Sequence, residues 1–241
     1  MITGEQVYLP ALQGGQSRIT IEGSEFHHLI RVRRYDVGDE IWVVNGQGLG
    51  VLTCIESIEQ ESLVLKINQE VLERGEMARK ITLVVANLKG DHLELVTEKA
   101  TELGVQEIVP LLTDHTIKKG LNRDRLERIA IAAMKQSRRS RLPIIRNLTP
   151  FHSFVQQQLQ GIHLFCYADD SSQSILEIDK IHVSEEIFIW IGPEGDWSKD
   201  EIDLASFSNY TFTGLGPRRL RAETAAIHAV GILSAILQDP S

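Results

Sequence analysis

A chain of 241 residues, 42% hydrophobic and 24% charged, is ordinary for a folded protein and can bury a sizeable core in one large domain or two small ones. Its formal net charge of −8 excludes a globally basic field, so any nucleic-acid surface must be local. Cys54 and Cys166 make no metal-ligand spacing, Met1 to Leu12 shows neither the basic start nor the apolar core of a secretory signal, and no apolar run approaches membrane length, so a reducing cytoplasm is expected.

The first seventy or so residues read as strands. Ile41 to Val44 is an apolar run that stops at Asn45-Gly46, a hairpin signal. Val51 to Ile58 and Ser62 to Ile67 follow, split by an acidic turn. Short strands with frequent turns predict a small β-barrel or sandwich. The polar stretch Glu70 to Lys80 marks the domain boundary, giving domains 1–73 and 74–241. Beyond it the rhythm changes. Ile81 to Ala86, Ile108 to Leu112, Leu164 to Tyr167 and Ile187 to Ile191 are buried-type strands. Asp91 to Leu103, Arg123 to Arg139, Ser198 to Phe207 and Glu223 to Leu237 carry helical spacing, with Ser198 and Glu201 forming a capping box. Strands alternating with helices predict an α/β domain on a mostly parallel sheet.

The motifs divide into weak and informative ones. Gly46-Gln47-Gly48-Leu49-Gly50 lacks the following helix that a dinucleotide loop requires, so it reads as a turn. The eight histidines show no ligand spacing, and no metal is expected. Two basic clusters stand out in an acidic chain. His27 to Arg34 holds Arg31, Arg33 and Arg34 beside His28, and Lys135 to Arg141 holds Arg138, Arg139 and Arg141. Either could be a solvated helix face or a dipole-matched helix end. Guanidinium groups also match phosphate oxygens, and two such clusters favour a local RNA or DNA surface. The most informative pair is Ile191-Gly192-Pro193-Glu194-Gly195 and Leu215-Gly216-Pro217-Arg218-Arg219-Leu220-Arg221-Ala222-Glu223-Thr224-Ala225. Both follow strands, where ligands of open α/β sheets bind, and they make one pocket if those strands are neighbours.

These residues resemble the SPOUT methyltransferases, and in particular the RsmE-type 16S ribosomal RNA uridine N3-methyltransferases. His28-x-x-Arg31-Val32-x-Arg34, Lys89 with Lys99-Ala100-x-Glu102-Leu103-Gly104-Val105, and Gln136-Ser137-x-Arg139-x-Arg141-x-Pro143 extend the resemblance over nearly the whole chain. The chain departs from the family pattern at Asp196, where a second glycine is usual, at Lys135, where Glu is usual, and at Arg219, where an aliphatic residue is usual.

The resemblance implies a PUA-like β-barrel followed by an α/β domain threaded into a trefoil knot. It implies S-adenosylmethionine as cofactor, 16S rRNA in the small ribosomal subunit as partner, and a homodimer whose active sites form at the interface. The cofactor is expected against Ile191, Gly192, Pro193, Glu194, Gly195, Leu215, Gly216, Leu220, Arg221, Thr224 and Ala225, with Ile191, Leu215 and Leu220 lining the adenine slot. Arg139 is expected as the cation that stabilises a deprotonated uracil, Arg221 as the second candidate, Gln136 as a partner of the uracil edge, and Glu223 as base or as orienter of an arginine. His28, Arg31, Arg34, Arg139, Arg141 and Arg218 are expected to contact RNA. Two other readings stay open, namely a SPOUT enzyme for another RNA and a non-catalytic RNA-binding or ribosome-assembly protein.

Overall fold

The computed structural model describes residues 5–167 and 172–237. The chain forms two compact units. One runs to Glu76 and also takes in Met134–Leu142; the other holds Met77–Ala133 and the chain from Pro143 on. The expected domains of 1–73 and 74–241 differ from these units in the returning segment, whose adoption no linear pattern announces.

The first unit contains β1 (Gln6–Tyr8), β2 (Arg18–Glu22), the short helix α1 (Gly23–His27), β3 (Glu40–Val44), β4 (Leu49–Ile58) and β5 (Ser62–Leu72). They form a five-stranded sheet in the order β1-β3-β4-β5-β2, antiparallel except for β1 beside β3. The β3–β4 hairpin is closed by Asn45, whose Oδ1 accepts from the amides of Gln47 at 2.7 Å and Leu49 at 3.1 Å, so the glycine-rich stretch is a turn. Ile41, Val43, Val51, Leu63 and Leu65 fill the inner face with Phe26 and Leu29. Leu29 belongs to a π-helical turn, His28–Val32, that continues α1 and leaves Arg31 and Arg34 exposed. In the returning segment Lys135 pairs with Glu25 at 2.6 Å, which accounts for a lysine where the resemblance expects an acid.

The second unit contains β6 (Lys80–Ala86), α2 (His92–Glu102), β7 (Glu107–Leu112), α3 (Arg123–Ser137, its last turn counted with the first unit), β8 (Ile144–Ile145), β9 (Thr149–Pro150), α4 (Phe151–Val155), β10 (Ile162–Cys166), β11 (Gln173–Ser174), β12 (Glu186–Ile191), α5 (Lys199–Phe207), β13 (Thr211–Gly214) and α6 (Ala222–Leu237). Its parallel sheet runs β11-β13-β10-β12-β6-β7-β8, with β9 also on β7. β12 lies at the centre and is buried on both faces, which is why Ile187 to Ile191 is apolar without alternation. Phe151, Phe165, Trp190 and Trp197 pack one core cluster of this unit, and α6 packs against β6, β12 and α2. α5 carries the expected capping box between Ser198 and Glu201. β13 is the strand that the sequence reading expects before Leu215, although Thr211-Phe212-Thr213-Gly214 is short and has one apolar side chain.

At the amino ends of the central strands, Lys80 of β6 bridges Glu107 of β7 at 2.8 Å and Glu186 of β12 at 2.7 Å, and Arg146 also pairs with Glu107. Burial favours the neutral acid of Glu107, but Lys80 and Arg146 outweigh it and hold the carboxyl below its ordinary value. A depressed folded-state pKa stabilises the fold above the unfolded value, and this stability is lost as pH falls through the folded one. Lys80→Met is therefore expected to move the acid-unfolding midpoint to higher pH, as followed by far-UV circular dichroism.

Candidate active site

The connections from β6 and from β12 leave these adjacent strands in opposite directions, β6 toward β7 and β12 past β10 to β13. A crevice forms at the carboxyl ends of parallel strands at such a reversal. Here it is a cavity of about 970 Å³, at the upper end of the range for small-molecule sites. The ends of β13, β10 and β12, the segment after β6, and the start of α6 all line it. The two informative loops meet at this cavity, but β12 and β13 are not neighbours as expected; β10 lies between them and adds Cys166 and Tyr167 to the wall.

The loop after β12 is shaped by Trp197. A Cβ on Gly192 would lie 3.0 Å from the indole Cε2 and Nε1, so glycine lets the backbone pass over the ring without shifting it. The indole is buried, stacks on Phe165 at 4.5 Å, and donates to the Cys166 carbonyl at 3.1 Å. It thereby ties the β12 loop to the end of β10. Burial pushes the Cys166 thiol up, which leaves it a neutral wall group rather than a nucleophile. The loop closes with the Asp196 amide donating to the Pro193 carbonyl at 3.0 Å. Asp196 has φ +66°, a left-handed conformation that glycine adopts freely and aspartate tolerates. Its Oδ1 accepts from the Trp197 amide at 2.9 Å. Asp196 therefore keeps the turn that the expected second glycine would make. On the opposite loop Gly216 sits at φ +109°, a conformation that strains any side-chain-bearing residue.

Of the residues expected to hold the cofactor, Ile191, Gly192, Pro193, Glu194, Leu215, Gly216, Leu220, Arg221 and Ala225 line the cavity; Gly195 and Thr224 do not. A Cβ on Gly195 would come 3.2 Å from His115 Cβ, so this glycine serves the neighbouring loop. Glu223 lines the cavity while 8% exposed, and Arg218 lines it exposed. Arg219 is also exposed on the lining, and nothing in the structure explains its choice over an aliphatic residue. Glu194 accepts from the Lys89 amide at 3.2 Å, which joins the β12 loop to the segment after β6.

The sequence reading missed His92. It begins α2, lines the cavity, and sets Nδ1 at 3.6 Å from Glu223 Oε2 and 3.8 Å from Glu194 Oε1. Among the described residues, Nδ1 and Glu223 Oε2 are both buried without a hydrogen-bond partner. A single histidine among eight carries no sequence signal; only the approach of α2 to α6 reveals it.

The remaining expected residues lie in the first unit. Arg139 is 2% exposed, and its guanidinium meets Glu76 with Nη2 at 2.7 Å and Nε at 3.2 Å from Oε2. The Glu76 side chain is 1% exposed and also accepts from the Arg141 amide at 2.8 Å. A guanidinium held this way would have to break a buried ion pair to reach a base. The Arg141 side chain pairs with Glu73, and His28 lies 3.4 Å from Glu5. Gln136, Arg31 and Arg34 are exposed, and among the described residues neither Arg31 nor Arg34 forms an ion pair.

Comparison with known proteins agrees with this architecture. Residues 75–234 match the family described as RNA methyltransferase domain, and residues 21–68 match RNA methyltransferase PUA domain. The chain is 31% identical over 230 residues to ribosomal RNA small subunit methyltransferase E of Rickettsia conorii, covering 93% of each protein. It is 29% identical over 233 residues to the protein of that name from Bacillus subtilis, covering 89% of each. Among solved structures it is similar to a Legionella pneumophila protein in complex with S-adenosylmethionine, at 27% identity, TM-score 0.84 and 98% coverage of both chains. The fold also matches ribosomal RNA small subunit methyltransferase E of Neisseria gonorrhoeae bound to S-adenosylmethionine, at 24% identity, TM-score 0.86, and coverage of 97% of this chain and 98% of that one.

Proposed function

The chain belongs to the RNA methyltransferase family whose relatives are named ribosomal RNA small subunit methyltransferase E, and from this membership we propose that it methylates N3 of a uridine in 16S rRNA. It is an S-adenosylmethionine-dependent rRNA methyltransferase of mixed α/β fold with a PUA-type first domain. The observation that carries this is the cavity at the sheet's topological reversal, which combines apolar walls, close backbone and buried carboxylate.

The residues present fit the cofactor. Ile191, Leu215 and Leu220 offer an apolar slot for a purine, Gly192 and Gly216 let backbone groups approach, and Glu223 has an unpartnered buried oxygen for a cationic or hydrogen-bonding group. When bound, S-adenosylmethionine supplies a methyl group activated by a sulfonium. The protein's task is to place the acceptor nitrogen in line with that methyl, where alignment provides much of the acceleration. The base must be extruded or single-stranded to enter. Arg218 and Arg221, exposed at the cavity, would face the anionic substrate.

Arg31 and Arg34 are proposed as phosphate contacts that position RNA without reading sequence. The double substitution Arg31→Ala, Arg34→Ala is expected to weaken RNA binding and lower the slope of log K against log salt by roughly 1.5–2. Filter binding at several salt concentrations measures this, and an unchanged slope removes the patch from the interface.

We also propose a homodimer acting in the cytoplasm on the small ribosomal subunit. α6 supports the dimer: Ala226, Ala229, Val230 and Leu233 are buried within the unit while Ile227, Ile232 and Ile236 remain half-buried. Among the described residues no helix is long and apolar enough to cross a membrane. Calorimetric titration with S-adenosylmethionine followed by methylation of small subunits tests the function. Binding at about one site per chain and N3-methyluridine in the product are expected. A protein that binds no cofactor, even with RNA present, would favour the non-catalytic RNA-binding reading.

A further inference from the structure

His92 has a divided environment. Its Nδ1 is buried between two carboxylates, Glu223 Oε2 at 3.6 Å and Glu194 Oε1 at 3.8 Å. The side chain as a whole keeps 31% of its surface. Among the described residues Nε2 makes no hydrogen bond, and it is not among the buried unpartnered atoms, so this edge of the ring is open. The ring lines the cavity. Carboxylates on the Nδ1 side favour the tautomer with the proton there, because only an N–H can face an acceptor favourably. That leaves Nε2 with a bare lone pair. A carboxylate facing Nδ1–H, with Nε2 free to take a proton, is the arrangement that makes histidine a general base in unrelated folds.

We propose that His92 is the catalytic base of the reaction, taking the proton of the acceptor nitrogen on Nε2, with Glu223 and Glu194 as positioning residues that fix its tautomer. This rests on the reading that the acceptor is a ring N–H. The step balances: N3 gives its proton to Nε2, its freed lone pair forms the bond to the methyl carbon, and the pair of the breaking C–S bond stays on sulfur. The cationic charge lost at sulfur reappears on the imidazolium, which Glu223 and Glu194 stabilise before solvent takes the proton. A carboxylate alone is a weaker acceptor for an imide proton than imidazole, which assigns the role to His92 and the support to Glu223. The other charged groups that line the cavity are Lys89 before α2, Asp196 after β12, and Arg218, Arg219 and Arg221 before α6.

The first test needs no turnover. In long-range ¹⁵N–¹H spectra of the cofactor-free protein at pH 8, His92 should show Nδ1 protonated and Nε2 bare, and Glu223→Gln should weaken that preference. The reverse tautomer in the wild type overturns the proposal. The second test is kinetic. His92→Asn should lower kcat by about 10²–10⁴-fold while S-adenosylmethionine affinity stays within about threefold. RNA containing 5-fluorouridine, whose N3–H is more acidic, should recover part of the lost rate. Wild-type kcat in His92→Asn overturns the proposal. So does a loss confined to cofactor affinity, which would mean that the cluster holds the cofactor's ammonium instead. Failure of the underlying reading looks different: wild-type protein would then put the methyl elsewhere than a ring nitrogen, whatever the tautomer of His92.

Discussion

Arg139→Ala is expected to destabilise the first unit by about 3–5 kcal/mol, because it strands Glu76 as an uncompensated buried charge. The two side chains are 2% and 1% exposed, so water cannot replace the lost partner. Glu76 also receives the Arg141 amide, and the Arg139 carbonyl accepts from Gln6 Nε2 at 2.7 Å, so the loss would spread to β1 and to the returning segment. Urea unfolding followed by tryptophan fluorescence measures it, since Trp42 lies in this unit. Replacing both partners with apolar residues, Arg139→Met with Glu76→Leu, should recover most of the stability, because desolvation is then no longer imposed on either charge. If Arg139 were instead a catalytic cation, Arg139→Ala would keep wild-type stability and lose turnover alone. An unchanged unfolding midpoint would therefore restore the role expected from the sequence.

Trp197→Ala is expected to cost about 3–5 kcal/mol and to abolish cofactor binding together. The indole is in the aromatic core with Phe151 and Phe165 and also backs the Gly192 loop, so one cavity removes both supports. The Cys166 carbonyl at the end of β10 would lose its donor. Trp197→Phe keeps the stacking but not the hydrogen bond and should cost about 1–2 kcal/mol, with measurable but weakened binding. Thermal unfolding and calorimetric titration of the two variants separate these contributions. Full cofactor affinity in Trp197→Ala would mean that the β12 loop holds its shape without the ring.

Local residues announced much of this architecture. The unbroken apolar run Ile187 to Ile191 can only be a strand buried on both faces, and Asn45-Gly46 can only be a tight turn in that setting. Ser198 and Glu201 sit at the spacing their backbone partners require. The glycines at 192 and 216 marked loops where backbone comes close or turns left-handed. These features are set by neighbours within a few residues, so they survive translation into a linear pattern.

Charged residues were less legible, because their meaning depends on partners far along the chain. Lys135 reads as part of a basic patch until Glu25 is beside it, and Arg139 reads as a phosphate ligand until Glu76 encloses it. His92 reads as nothing until α2 meets α6 and the β12 loop. The sequence alone marked the long apolar strands, the four longer helices and the loops that carry the cavity, since periodicity, turn chemistry and glycine act locally. The tertiary structure alone decided that β10 separates β12 from β13, that Met134–Leu142 returns to the first unit, and which charges are paired. Strand order and ion pairing are long-range choices, made where burial removes water and leaves each charge dependent on whatever the fold brings within about 4 Å.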